Sequence, residues 1–232
     1  MRIISIAISR PVPYGMRLEE NQKHTGVVTM NPLKSITGTI VSGFVLSIII
    51  MFALGTSGKV NAWEFWVWIH VLVGITWIGL LYYFNFVQVP AVGAALAEAS
   101  NGGPGAAAIN KYVAPRALLW FRWSALATWL TGVMALEAMH TGEGSGFVAA
   151  FTFAAGYQII GTGAWLGTIM LLNVWGLIWP NQKKILGLDG KTHDAAAIAK
   201  AKTIALMASR TNTLLSIPML LAMTGQMHGL PF

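Results

Sequence analysis

The chain has 232 residues, 55% of them hydrophobic and only 10% charged, with a net charge of +7 and no cysteine. A soluble domain carries about a quarter charged residues, so the composition excludes an ordinary soluble fold and points to an integral membrane protein. The missing cysteine excludes disulfides, thiolate metal sites, iron–sulfur clusters and covalently attached haem. The basic excess lies in loops beside apolar runs, where it meets anionic lipid and not nucleic acid.

Residues 1–35 read as a polar, basic cytoplasmic tail. Arg10, Arg17, Glu19, Glu20 and Lys23 interrupt it before any apolar run suited to a signal peptide, and Pro11, Pro13 and Pro32 oppose a long helix. Residues 36–232 read as a single transmembrane helical domain. A crossing needs about 20 apolar residues for a hydrocarbon core of about 30 Å. Runs of that kind predict spans at about 36–55, 63–89, 117–139, 147–179 and 211–227, with a short amphipathic helix near 195–209. The fourth run exceeds one crossing and has room for a separate short helix at its start; Pro180 is expected to stop it. The expected fold class is therefore all-α, an integral membrane bundle of about five transmembrane helices. With the N-terminus in the cytoplasm, all Lys and Arg residues except Lys59 fall on that side, so the positive-inside rule predicts a periplasmic C-terminus.

This topology sorts the polar residues into two layers. Glu64, His70, Glu137, His140, Gln158, Gln226 and His228 fall in the outer one. His70 lies about seven residues, or roughly 10 Å, inside its span. An ionisable residue within a membrane helix is functional by default. Gly74 lies one turn away and leaves room for a flat ring, and Trp77 adds an apolar wall. That set suits a b-type haem, with His70 as one metal ligand and His228 or His140 as the other. Two other readings stay open. His70 can hydrogen-bond a neighbouring carbonyl while Gly74 packs a helix. Glu137 and His140 form an E-x-x-H pair that, with Glu64 and His70, suits a non-haem metal.

The inner layer holds Asn85, Gln88, Arg122, Asn173, Arg210 and Asn212. Gln88 lies 18 residues, five full turns, from His70, which places the two on one helical face. Arg122, Asn173, Asn212 and Gln88 form the candidate substrate group, since a guanidinium and amides suit a flat, partly anionic heterocycle. Snorkelling to headgroups is the alternative for Arg122. Gly163 and Gly167 form a G-x-x-x-G that predicts close helix packing.

Several segments together resemble one known family. WIHVLVGITWIGLLYYFNF at 68–86 is similar to the histidine-bearing helix of the urate oxidase N-terminal membrane domain, the membrane part of bacterial cytochrome-c-linked urate hydroxylase. LLWFRWSALATWLTG at 118–132 resembles that family's tryptophan-rich helix, and LGTIMLLNVWGLIWPNQKKI at 166–185 its helix ending in asparagine, proline and a basic loop. The stretch around Asn212 and Pro218 resembles the last helix. The chain departs from the pattern at Ser124, where the family usually carries glutamate, and at Thr211, where it usually carries histidine. The resemblance implies a redox protein of the bacterial inner membrane, an oxidoreductase that needs an external electron acceptor. A separate periplasmic cytochrome or another membrane subunit would be its partner, because the family's cytochrome c domain is not expected in a cysteine-free chain. The alternative is a non-catalytic accessory subunit of a larger respiratory or photosynthetic complex.

Overall fold

The computed structural model describes residues 31–55, 58–139 and 142–231. The expected tail through residue 30 and the ligand candidate His140 lie outside the described residues. The chain divides into two compact units, Met1–Lys59 and Val60–Phe232. In the first, a 3₁₀ turn Pro32–Lys34 leads into α1, Ile36–Leu54. The Ser35 hydroxyl caps α1 by accepting from the Gly38 N–H. No residue of α1 is buried, as expected of a helix whose apolar side chains face lipid.

The second unit is built from four long helices: α2 (Ala62–Ala99), α3 (Ala114–Met139), α5 (Gln158–Ile185) and α6 (Ala195–His228). A short α4 (Gly146–Phe151) lies between α3 and α5. The described residues contain no strand. Two helical hairpins, α2–α3 and α5–α6, are the most extensively packed pairs, and narrower α3–α5 and α2–α6 contacts join them. The shared core centres on Trp77, Leu81, Phe121, Met170 and Val174.

By length and composition, α1, α2, α5 and α6 can each cross a membrane. The helix α3, expected as a fifth span, has 26 residues and the required length. Arg116, Arg122, Glu137 and three tryptophans dilute its apolar run below that of the other four.

The boundaries differ from the expected spans for identifiable reasons. The second span continues past residue 89 to Ala99, the expected amphipathic helix and fifth span are one unbroken 34-residue α6, and α5 runs through Pro180 to Ile185. The expected 147–179 span divides into α4 and α5 at a break that includes Phe153, whose φ is 55°. Pro218 sits within the α-helical α6 without a wide turn, but the other three helix prolines are each preceded by one. The π-turns Phe84–Gln88, Ile109–Val113 and Val174–Ile178 end two residues before Pro90, Pro115 and Pro180. A helical proline removes one N–H and clashes with the carbonyl four residues back. Those carbonyls belong to Phe86, Lys111 and Gly176, and all three lie inside a π-turn. Widening each turn accommodates the ring, and the helix continues. The wide turn also adds a phase shift between His70 and Gln88, so the 18-residue count no longer places them on one face.

Gly163 bears out half of the G-x-x-x-G expectation. A Cβ there would lie 3.2–3.3 Å from Met223 and Ala222 of α6, whereas one at Gly167 would meet nothing within 4 Å.

Candidate functional site

At the end of the unit that carries His70, polar side chains tie the chain to itself. Both Glu137 carboxylate oxygens cap α4: Oε1 accepts from the Ser145 hydroxyl at 2.6 Å and the Phe147 N–H at 3.1 Å, and Oε2 from the Gly146 N–H at 3.2 Å. Gln226 staples α6 to the start of α5, accepting from the Ile160 N–H and donating to the Gly156 carbonyl. Gln158 accepts from the Gly156 N–H, and Glu64 lies exposed in the first turn of α2. With Glu137 engaged as a cap, the carboxylate of the E-x-x-H pair does not stand open toward a metal. No three His, Asp or Glu side chains gather to hold a metal ion among the described residues.

His70 sits where α2 crosses α3. Its Nδ1 lies 2.8 Å from the Thr128 carbonyl oxygen and 3.4 Å from the Thr131 hydroxyl. The carbonyl can only accept, so Nδ1 carries the proton and donates. That assignment leaves Nε2 with the free lone pair. Gly132 makes the approach possible, since a Cβ there would lie 3.0 Å from His70 Cε1. A Cβ added at Gly74 would lie 3.6 Å from the Thr128 methyl. The room expected beside Gly74 is therefore taken up by α3. Trp77 is buried in the core, and its indole N–H has no acceptor. His228, in the last turn of α6, repeats the arrangement of His70, with Nδ1 3.1 Å from the Thr224 carbonyl. Neither Nε2 makes a hydrogen bond among the described residues.

These contacts are those of the alternative reading, an imidazole hydrogen-bonded to a neighbouring carbonyl with Gly74 packed against a helix; the orientation of each imidazole is nevertheless compatible with ligation through Nε2. A ligating imidazole ordinarily donates its second N–H to a carbonyl or carboxylate, which fixes its tautomer and orientation. The Thr128 and Thr224 carbonyls supply that partner for His70 and His228.

The residues expected to bind substrate separate into different environments. Asn212 is fully buried; its amide donates to the Met170 carbonyl and accepts from Asn173, both at 2.9 Å. This pair clamps α5 to α6. Arg122 stacks on Trp179, its guanidinium carbon 3.8 Å from the ring centre, with Lys183 on the same indole at 5.6 Å. Asn173 borders an open depression of about 370 Å³ between α5 and α6, and Gln88 lines a more enclosed cavity of about 280 Å³.

That cavity forms where all four long helices converge at the opposite, basic end. Phe84 and Phe121, packed edge-to-face with centroids 5.4 Å apart, line it together with Ile178. The polar groups that reach it are Gln88, Asn110, Gln182, Lys202 and Ser209. Ser209 accepts from Asn85 at 2.8 Å. The Gln88 Oε1 is buried without a partner, and the Asn110, Gln182 and Lys202 side chains make no hydrogen bond among the described residues. Each of the three π-turns contributes a lining residue, respectively Gln88, Asn110 and Ile178. The sequence singled out Gln88 but missed Asn110, Gln182 and Lys202. The recurring signal was an amide close to a helix proline.

Against this geometry, similarity to known proteins is confined to one part of the chain. Residues 143–232 match the family model described as Urate oxidase N-terminal. The match covers α4, α5 and α6, including the Asn173–Asn212 clamp and His228, and supports the family that the helix motifs resemble. The stretch containing His70 and α3 lies outside the matched residues. No curated protein and no solved structure matches the chain.

Proposed function

We propose that this chain is a membrane-embedded redox protein related to urate hydroxylase, seated in the bacterial inner membrane. In this reading it holds a b-type haem and passes electrons to a separate partner, such as a periplasmic cytochrome. The observation that carries the reading is the 2.8 Å hydrogen bond from His70 Nδ1 to the Thr128 carbonyl. It holds an imidazole within a membrane helix in the tautomer that a haem iron requires. The family match at 143–232 supports the redox class.

His70 and His228 would hold the group through their Nε2 atoms. The haem, when bound, supplies one-electron transfer. The protein's own part is positional. Thr128 and Thr131 fix the ring, Gly132 lets α3 approach it, and the surrounding apolar helices keep water away.

A dithionite-reduced minus oxidised visible spectrum of the purified protein tests the reading. A Soret and α-band change in the wild type, lost in His70→Ala, is the expected result. A flat difference spectrum contradicts haem binding. Bands that survive His70→Ala contradict the ligand assignment. Gly132→Ala should shift the α-band without abolishing it, because the added methyl displaces the ring from below.

A further inference from the structure

We propose that the cavity at the basic end binds the ring of a membrane quinone, in both its quinone and its quinol form. The site lies well away from His70: Phe84, at its near edge, is about 21 Å along the helix axis. The proposal does not depend on haem.

The lining chemistry favours a ring of this class. The walls are apolar and aromatic, with Phe84, Leu118 and Phe121 on one side and Ile178 on another. The polar groups are three amides, one ammonium and the Ser209 hydroxyl, and no carboxylate lines the cavity. An amide both donates and accepts. A quinone carbonyl can therefore accept from the amide N–H groups of Gln88, Asn110 or Gln182. A quinol hydroxyl can donate to the same amides' oxygens. The buried, unpartnered Gln88 Oε1 can accept from a quinol hydroxyl, a donor that a lipid phosphodiester or a fatty-acid carboxylate lacks; the same amide's N–H serves the quinone carbonyl. Lys202 adds a strong donor for a ring oxygen.

The mouth matches a lipophilic ligand. Val89 and Leu96 line the cavity yet are 41% and 54% exposed, so its rim is apolar on the outer face of α2. An isoprenoid tail would leave along that rim into lipid. Trp120 and Trp123 lie exposed on α3 beside Leu118 and Phe121 of the cavity wall, and exposed tryptophans favour the membrane interface, where a quinone ring can reach the mouth.

The test uses the full chain in zwitterionic nanodiscs, with decylubiquinone titrated against tryptophan fluorescence. Saturable quenching is expected for the wild type and, equally, for His70→Ala. Gln88→Leu should weaken binding about tenfold, the equivalent of one hydrogen bond to a buried amide. Leu206→Trp and Val92→Trp fill the cavity from α6 and from α2, and either should abolish saturation. The proposal is overturned if decylubiquinone does not saturate, or if both filled variants bind it as the wild type does. It is equally overturned if phosphatidylglycerol or a water-soluble purine binds there and decylubiquinone does not.

Discussion

The two ends of the Val60–Phe232 unit use polar residues in opposite ways. At the histidine end, Glu137 caps α4, Gln226 ties α6 to α5, and the His70 Nδ1 is fixed on α3. Glu137, Gln158 and Gln226 are thus joined to the chain itself, while Glu64 lies exposed. At the basic end, Gln88 leaves a buried oxygen unpartnered, and Asn110, Gln182 and Lys202 converge on one cavity. A buried amide oxygen without a partner costs stability, and Gln88 keeps one at a lined cavity. Under the two proposals, the histidine end braces its imidazoles with hydrogen bonds to the chain, and the basic end leaves its amides free to meet a ligand.

Substitutions can break this contrast or sharpen it. The largest effect is expected from Gly161→Ala, because an added Cβ would run into the Ala150 carbonyl where α5 meets α4. A loss of about 3 kcal/mol is expected, the upper range for overpacking, read as a lower midpoint of detergent-induced unfolding. Asn212→Leu should cost about 2 kcal/mol by leaving the Asn173 amide unpaired in the α5–α6 interface. The same unfolding assay measures it, and an unchanged midpoint would show that the clamp is not structural. Glu137→Ala removes the α4 cap and should cost about 1 kcal/mol, with faster hydrogen exchange confined to residues 145–151.

Gln88→Leu should behave in the opposite sense, leaving the midpoint unchanged or raising it, because it deletes an unsatisfied buried oxygen. A marked destabilisation would place Gln88 among the structural amides and erase the difference between the two ends. The smallest effect concerns pH. In the loop before α6, a hydrogen bond from His193 holds the Asp189 carboxyl below its ordinary range, assisted by the Lys191 N–H. A carboxyl depressed in the folded state stabilises above its unfolded pKa of about 3.9, and that contribution is lost as pH falls through the lower folded value. Asp189→Asn should flatten this part of the acid profile.

The sequence made the membrane class and the helix sites plain, because 20-residue apolar runs leave few alternatives. It misplaced helix ends wherever proline was taken as a stop. The π-turns before Pro90, Pro115 and Pro180 depend on tertiary packing that tolerates a widened turn, and no local pattern announces them. His70 was legible as an intramembrane imidazole, but Gly132, which lets α3 approach it, looked like any other small residue. Asn173 and Asn212 were legible as inner-layer polar residues and expected to meet a substrate. That they satisfy each other depends on how α5 packs against α6. The cavity was the least legible feature, because its polar side chains come from all four long helices and their flanks and meet only in the folded bundle.

The proposed role of His70, a haem ligand held by Thr128, is tested by replacing its side chain with glycine and supplying imidazole from solution. His70→Gly should lose the Soret and α-bands of the reduced wild type and regain them when imidazole is added to millimolar levels. Bands that persist in His70→Gly without imidazole, or that never appear in the wild type, would contradict the account.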